Sequence, residues 1–134
     1  MTGMVLDKFA PNDKDHWTWR LVKLDDVPNI AAMAQRLFQI EIAGVFTPDA
    51  QMFCHNLSLA VVDQSFDPLS QQLIAAYDNN QLLAWAWCVR GEHTTYSPEE
   101  IAEARFAHVD LTLPARTRIR LIAQMIQQWH LWCK

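Results

Sequence analysis

A hairpin constrains this chain more than any other stretch. Leu73–Tyr77 and Gln81–Arg90 are runs of strand-forming residues on either side of Asp78-Asn79-Asn80, residue types that tolerate the left-handed backbone of a tight turn. On the second run Trp85 and Trp87 alternate with Ala84, Ala86 and Cys88. Successive strand side chains point to opposite faces, so one face of this strand is bulky and the other nearly flat. A flat face admits either a helix packed directly on the alanines or a ligand close to the backbone, and a helix is the commoner reason for one.

The remaining elements follow from local signals. Trp17–Leu24 reads as a strand with Trp17, Trp19 and Leu21 on one face and Val22 and Leu24 on the other, which fits a sheet covered on both sides. Residues 1–16 are polar and read as an arm. Asp25-Asp26-Val27-Pro28 is a helix start, after which Ile30, Met33, Ala34, Leu37, Phe38 and Glu41 recur at helical spacing until Gly44. Thr47-Pro48-Asp49 starts a second helix with Phe53, Leu57, Ala60 and Val61 inward, ending at Asp67-Pro68. Gly91 closes the hairpin. Ser97-Pro98-Glu99-Glu100 has the form of a capping box and predicts a short helix to about Arg105, with Glu99, Glu100 and Glu103 as its solvated face.

Phe106–Leu113 then reads as a strand that runs through Pro114 into a long helix. That helix carries Ile119, Ile122, Ala123, Ile126, Trp129 and Cys133 on one side and Leu121, Met125 and Trp132 on a second, an arc wide enough to be sandwiched or to sit at an interface. The order β-α-α-β-β-(short α)-β-α is an α/β sandwich with a mostly antiparallel sheet, one domain over residues 17–134.

Composition bounds the function. The net charge of −4 and pI of about 5.6 argue against a general polyanion-binding role, so nucleic acid is not an expected partner. Cys54, Cys88 and Cys133 show no pairing pattern, and there is neither a signal peptide pattern nor an apolar run long enough to span a bilayer, so a soluble, cytoplasmic protein is expected. Three glycines, at 3, 44 and 91, exclude glycine-rich phosphate loops. His130 with Cys133, and Cys54 with His55, lack the spacing of a zinc site, so no metal is expected.

Two places carry candidate chemistry. Arg116, Arg118 and Arg120 crowd the strand-to-helix junction, where unpaired backbone N–H groups and the helix dipole favour an anion such as phosphate. His108 and Asp110 lie two apart on one strand and share a face, an arrangement able to orient an imidazole for general-base work.

Three segments, Trp19–Asp26, Leu73–Trp87 and above all Val109–Gln124, resemble the first half of the GNAT superfamily of N-acetyltransferases. Members of that family hold the pyrophosphate of acetyl-CoA on a Q/R-x-x-G-x-G/A turn, which Arg118-Ile119-Arg120-Leu121-Ile122-Ala123 resembles, with Leu121 at the central glycine. The resemblance implies Arg116, Arg118, Ile119, Arg120 and Ala123 as cofactor-binding residues, and Glu41 or His108 near the acceptor. It also implies a further strand after the last helix, with the cofactor in the splay between the fourth and fifth strands. With Lys134 as the last residue, the strand ending at Leu113 is expected to need cover from a partner, a second copy or a missing segment.

Two functions follow. One is a non-catalytic structural or interaction module, docking through its C-terminal helix and edge strand onto a second copy or a protein partner, as in an assembly or a virion, with no cofactor. The other is an acetyl-CoA-dependent N-acyltransferase completed by a dimer or by a missing C-terminal segment.

Overall fold

The computed structural model describes residues 16–42 and 44–133, so the arm expected over residues 1–16 lies outside the described residues except for His16. The elements are β1 (Thr18–Leu21), α1 (Val27–Glu41), α2 (Ala50–Phe66), β2 (Gln71–Asp78), β3 (Gln81–His93), β4 (Glu100–Val109) and α3 (Ala115–Cys133), with a 3-10 turn, Leu24–Asp26, ahead of α1. The strands form one antiparallel sheet in the order β1-β2-β3-β4, each beside its neighbour in sequence.

Side-chain alternation decides which helix covers which face. Leu73, Ala75 and Tyr77 of β2, with Trp85, Trp87 and Val89 of β3, point into a core shared with α1 and α2. Ile74, Ala76, Ala84 and Ala86 point the other way and meet Leu121 and Met125 of α3. The flat face of the hairpin is therefore the seat of a helix, which can approach closely because alanines stand little above the pleat. Three hydrogen bonds hold α3 there. The indoles of Trp17 and Trp19 both donate to Oε1 of Gln124, each at 2.8 Å, and Trp132 donates to the carbonyl of Pro68 at 2.9 Å.

On the opposite face, Asp26 fixes the entry to α1. It stands at the helix N-terminus but does not cap it. Its buried carboxylate instead accepts both arms of Arg20 at 2.6 Å, the N–H of Lys23 at 2.8 Å and the hydroxyl of Tyr77 at 2.9 Å. Burial pushes this carboxyl's pKa up, but Arg20, Lys23 and Tyr77 together outweigh burial and leave it below its ordinary value. At α2 the expected start signal holds, with Asp49 as the cap, accepting from the N–H of Met52 at 3.0 Å. The side chain of Gln64 then joins α2 to the sheet, accepting from the N–H of Leu73 at 2.6 Å.

The short helix expected from Ser97 to about Arg105 does not form. Residues 100–105 instead open β4, which pairs with an extension of β3 from His93↔Glu100 onward. A helix of so few residues gains little without tertiary support, whereas the ladder pairs the backbone groups that face β3. Ser97 accepts from the N–H of Glu99, two residues on, at 3.2 Å, which makes a serine turn in the connection rather than a capping box. Glu100 and Glu103 accordingly lie on a strand. Gly91 does not end the hairpin either. It sits at φ 103°, where glycine is favoured, between the paired residues Arg90 and Glu92 at a register shift, and β3 continues to His93. The final strand stops at Val109, four residues earlier than expected, because Asp110 begins a turn by accepting from the N–H and hydroxyl of Thr112 at 2.9 and 2.7 Å.

Replacing Asp26 by Ala is expected to lower stability in urea unfolding by about 3 kcal/mol, the low end for stranding a buried ion-pair partner, because Arg20 stays partly solvated. The contribution of Asp26 is present above its ordinary pKa of 3.8 and lost as pH falls through its lowered folded value. The Asp26→Ala variant should therefore show a shallower loss of stability below that pH than the parent chain.

Candidate functional site

β4 is the last strand of the sheet, and among the described residues its outer edge has no strand partner. The C-terminal end of α1 and the first half of α3 flank that edge and leave a pocket of about 350 Å³ between them. Glu41 from α1, His108 from β4 and Arg118 from α3 all line it, with Leu37, Ile122 and Ile126 supplying apolar wall. Each arrives by its own periodicity. Glu41 continues the inward stripe of α1 to its last residue, His108 points to the α1 and α2 side with Phe106, and Arg118 closes the first turn of α3.

The protonation of His108 follows from its neighbours. Its ring is buried, and Nδ1 receives the indole N–H of Trp85 at 3.1 Å. An indole can only donate, so Nδ1 holds a lone pair and the proton of the neutral ring is on Nε2. Nε2 faces Oε2 of Glu41 at 3.5 Å. Burial drives the imidazole pKa below its ordinary value, and the Glu41 carboxylate opposes that shift without reversing it. His108 is thus a neutral ring, oriented from behind by Trp85 and aimed at a half-exposed carboxylate. Asp110, expected on the same strand, lies just past its end and takes no part, since its carboxylate accepts from Thr112.

The three arginines of the junction diverge. Arg118 lines the pocket, where its Nε donates to the carbonyl of Leu113 at 3.1 Å. Arg120 lies 5.8 Å over the ring of Trp17 on the other side of the helix, and Arg116 is exposed. Helix α3 begins at Ala115, and the N–H of Arg118 already bonds the carbonyl of Pro114 at 3.0 Å. The N–H groups without an intrahelical acceptor therefore belong to Ala115, Arg116 and Thr117, while Ile119 and Ala123 lie further along, both exposed. Leu121 is fully buried against the sheet and does not face the helix start.

Elsewhere, burial pushes the Cys88 thiol up to about 12, with Cys133 adding to the shift, so Cys88 is an inert core group. Among the described residues no three His, Cys, Asp or Glu side chains converge to hold a metal ion, and no helix is long and apolar enough to cross a membrane. Sequence reasoning missed Trp85 as the partner of His108. Its position depends on the register of β4 against β3, and reading residues 97–105 as helix left that register undefined.

No protein-family model and no curated protein matches the sequence. Solved structures do match in shape. A possible acetyltransferase from Clostridium difficile 630 superposes with a TM-score of 0.62 at 14% identity, over 83% of this chain and 68% of the other. The PaiA N-acetyltransferase from Thermoplasma acidophilum, solved with coenzyme A, gives 0.55 at 13% identity over 85% and 73%. An aminoglycoside acetyltransferase from an uncultured soil metagenomic sample, in complex with sisomicin, gives 0.50 at 12% over 86% and 72%. The chain has a GNAT-like fold. At such identities the likeness is one of architecture. Within this GNAT-like frame the pocket lies at the outer edge of the fourth strand.

A pH titration of the histidine rings by NMR tests the site's electrostatics. His108 should titrate below the ordinary 6.5, and Glu41→Gln should lower it further by removing the opposing carboxylate. Between the folded value and 6.5 the unfolded chain binds more protons, so this group's contribution to stability is present above 6.5 and lost as pH falls toward the folded value. Titration of His108 at or above 6.5 would contradict the geometry.

Proposed function

We propose that the chain carries the site of an acetyl-CoA-dependent N-acyltransferase in the cleft along the free edge of β4. The observation that carries this reading is the convergence of Glu41, His108 and Arg118, from three separate elements, in one pocket. Architectural likeness to acetyltransferases supports it.

The residues fit an acyl-CoA. The first turn of α3 offers the unpaired N–H groups of Ala115, Arg116 and Thr117 to a phosphate, with the charges of Arg116 and Arg118 beside them. The unpaired edge of β4 offers backbone donors and acceptors to an amide-bearing arm, and Ile122 and Ile126 offer apolar wall. When bound, the cofactor supplies an acyl group activated as a thioester. The chain's own residues then handle the acceptor's proton. An amine must lose one to become acylated, and the carboxylate of Glu41 at the rim of the pocket takes it. His108 cannot serve as the base, because Nδ1 is occupied by Trp85 and Nε2 already bears its proton. It acts as a positioning residue that holds the Glu41 carboxylate through Nε2–H.

Acetyl-CoA at about 100 times its dissociation constant should stabilise the folded chain by about 2.7 kcal/mol in a thermal shift. Arg118→Ala should weaken that binding. Glu41→Gln should leave the shift intact and lower acyl transfer to amines by about 10²–10⁴-fold, the usual worth of a general base. Full activity in Glu41→Gln would contradict the assignment.

One observation favours a second reading, a non-catalytic docking module. Ile119, Ile122 and Ile126 form a row on α3 beside the open edge of β4, exposed by 66%, 45% and 47%. Under this reading a second copy or a protein partner covers that row and extends the sheet. Sedimentation should then show association that Ile122→Lys abolishes, with no response to acetyl-CoA.

A further inference from the structure

We infer that α2 pairs with α2 of a second copy of this chain, antiparallel and crossing at Leu59.

The inner side of α2 is already used, with Leu57, Ala60 and Val61 buried in the core shared with α1 and the sheet. A helix so placed is expected to be polar on its outer side. Met52, Leu59, Val62 and Phe66 stand there instead, all exposed and Phe66 by 86%. With the exposed His55 they recur at intervals of three, four, three and four residues, the spacing that keeps one stripe facing a neighbouring helix. Single exposed apolar residues need no explanation, but a continuous row of them marks a contact surface. Helix α3 lies across the opposite face of the sheet, so this surface is distinct from its isoleucine row.

Shape points to a second copy as the occupant. Between the 3-10 turn and the second half of α2 lies a groove of about 290 Å³, lined by Val22, Leu24, Val61 and Val62, with Leu24 exposed. The first half of the stripe carries Met52, whose unbranched side chain adapts to such a space. A two-fold axis at Leu59 brings the first half of each helix to the second half of the other, so that each copy offers both the groove and the side chain that fills it.

Charge selects the same orientation. His55 and Asp63 are the only acidic or basic side chains of α2, both exposed, and they stand four residues to either side of Leu59. A parallel pair would set His55 against His55 and Asp63 against Asp63. The antiparallel pair sets each imidazole beside the carboxylate of the second copy, a donor beside an acceptor at two symmetric points. Asp63 has room for that donor, since among the described residues it accepts only a long bond of 3.4 Å from Nε2 of Gln71. A seam of one helix is small against the roughly 800 Å² per partner of a standard interface, so the dimer is expected to be reversible.

Sedimentation of the full chain from about 10 μM to about 1 mM tests this, the range in which a weak pair dissociates. The parent chain should pass from monomer to dimer. Leu59→Lys should remain monomeric throughout. His55→Asp, which sets acid against acid twice, should weaken the dimer by about tenfold or more, and adding Asp63→Lys to it should restore the parent affinity. All three side chains are exposed, so the variants should keep the far-UV spectrum of the folded chain. Ile122→Lys should leave the association unchanged. A parent chain that stays monomeric to about 1 mM overturns the proposal and leaves the stripe to a different partner or to none. A dimer indifferent to Leu59→Lys, or one abolished by Ile122→Lys, overturns it as well, and failure of Asp63→Lys to rescue His55→Asp overturns the antiparallel pairing.

Discussion

The indole N–H of Trp85, pointed at Nδ1 of His108 in the dry centre of the molecule, is the contact on which the site depends. Trp85 is fully buried, and a buried N–H left without an acceptor costs about 1–3 kcal/mol, so the imidazole is held to the tautomer that presents a lone pair. The same indole stacks on Phe106 at 5.7 Å and meets Phe53 edge-on at 6.0 Å, which ties β3, β4 and α2 together around the ring that does the accepting. Nothing on the far side of His108 is then free to vary except what its Nε2 meets. That partner is Glu41, the last residue of α1, half in solvent at the mouth of the cleft.

The placement of the cleft follows from how the two faces of the sheet are filled. Large aromatic residues on one face keep α1 and α2 at a distance from the backbone, and small ones on the other draw α3 close. Helix α3 leaves the end of β4 through the turn at Asp110 and crosses beneath the sheet with Leu121 and Met125 on the alanines. Its first turn and its isoleucines are thereby left beside the one sheet edge, among the described residues, that faces both α1 and α3. An anion-seeking helix start, an unpaired strand edge and an apolar row meet there, and acyltransferase and docking module are two uses of that same surface. The acyltransferase reading gives the carboxylate beside the oriented imidazole a role, and the docking reading gives one to the exposed isoleucines.

Much of this was legible from residue patterns. The hairpin, the Asp49 cap, the inward stripes of α1 and α2 and the helix on the alanine face all follow from local rules, and Glu41 was reachable as the end of a stripe. The two sides of α3 were also legible, but not which one turns inward. Gln124 and Gln128 are buried among the inward residues, and their polarity disguises that side, whereas the exposed isoleucines look like core. The first half of β4 was not legible. Ser97-Pro98-Glu99-Glu100 satisfies a helix-start pattern locally, and only pairing with the far end of β3 overrides it. With that strand went its register, and with the register went the Trp85–His108 contact.

The central claim is that the free edge of β4 and the first turn of α3 form one acyl-CoA site. A two-dimensional amide NMR map recorded during titration with coenzyme A tests it most directly. The account predicts shifts concentrated at Ala107, Val109 and Leu111 and at Ala115 through Arg118. Shifts centred on the β2–β3 turn or on α2, or a spectrum unchanged at saturating coenzyme A, would contradict it.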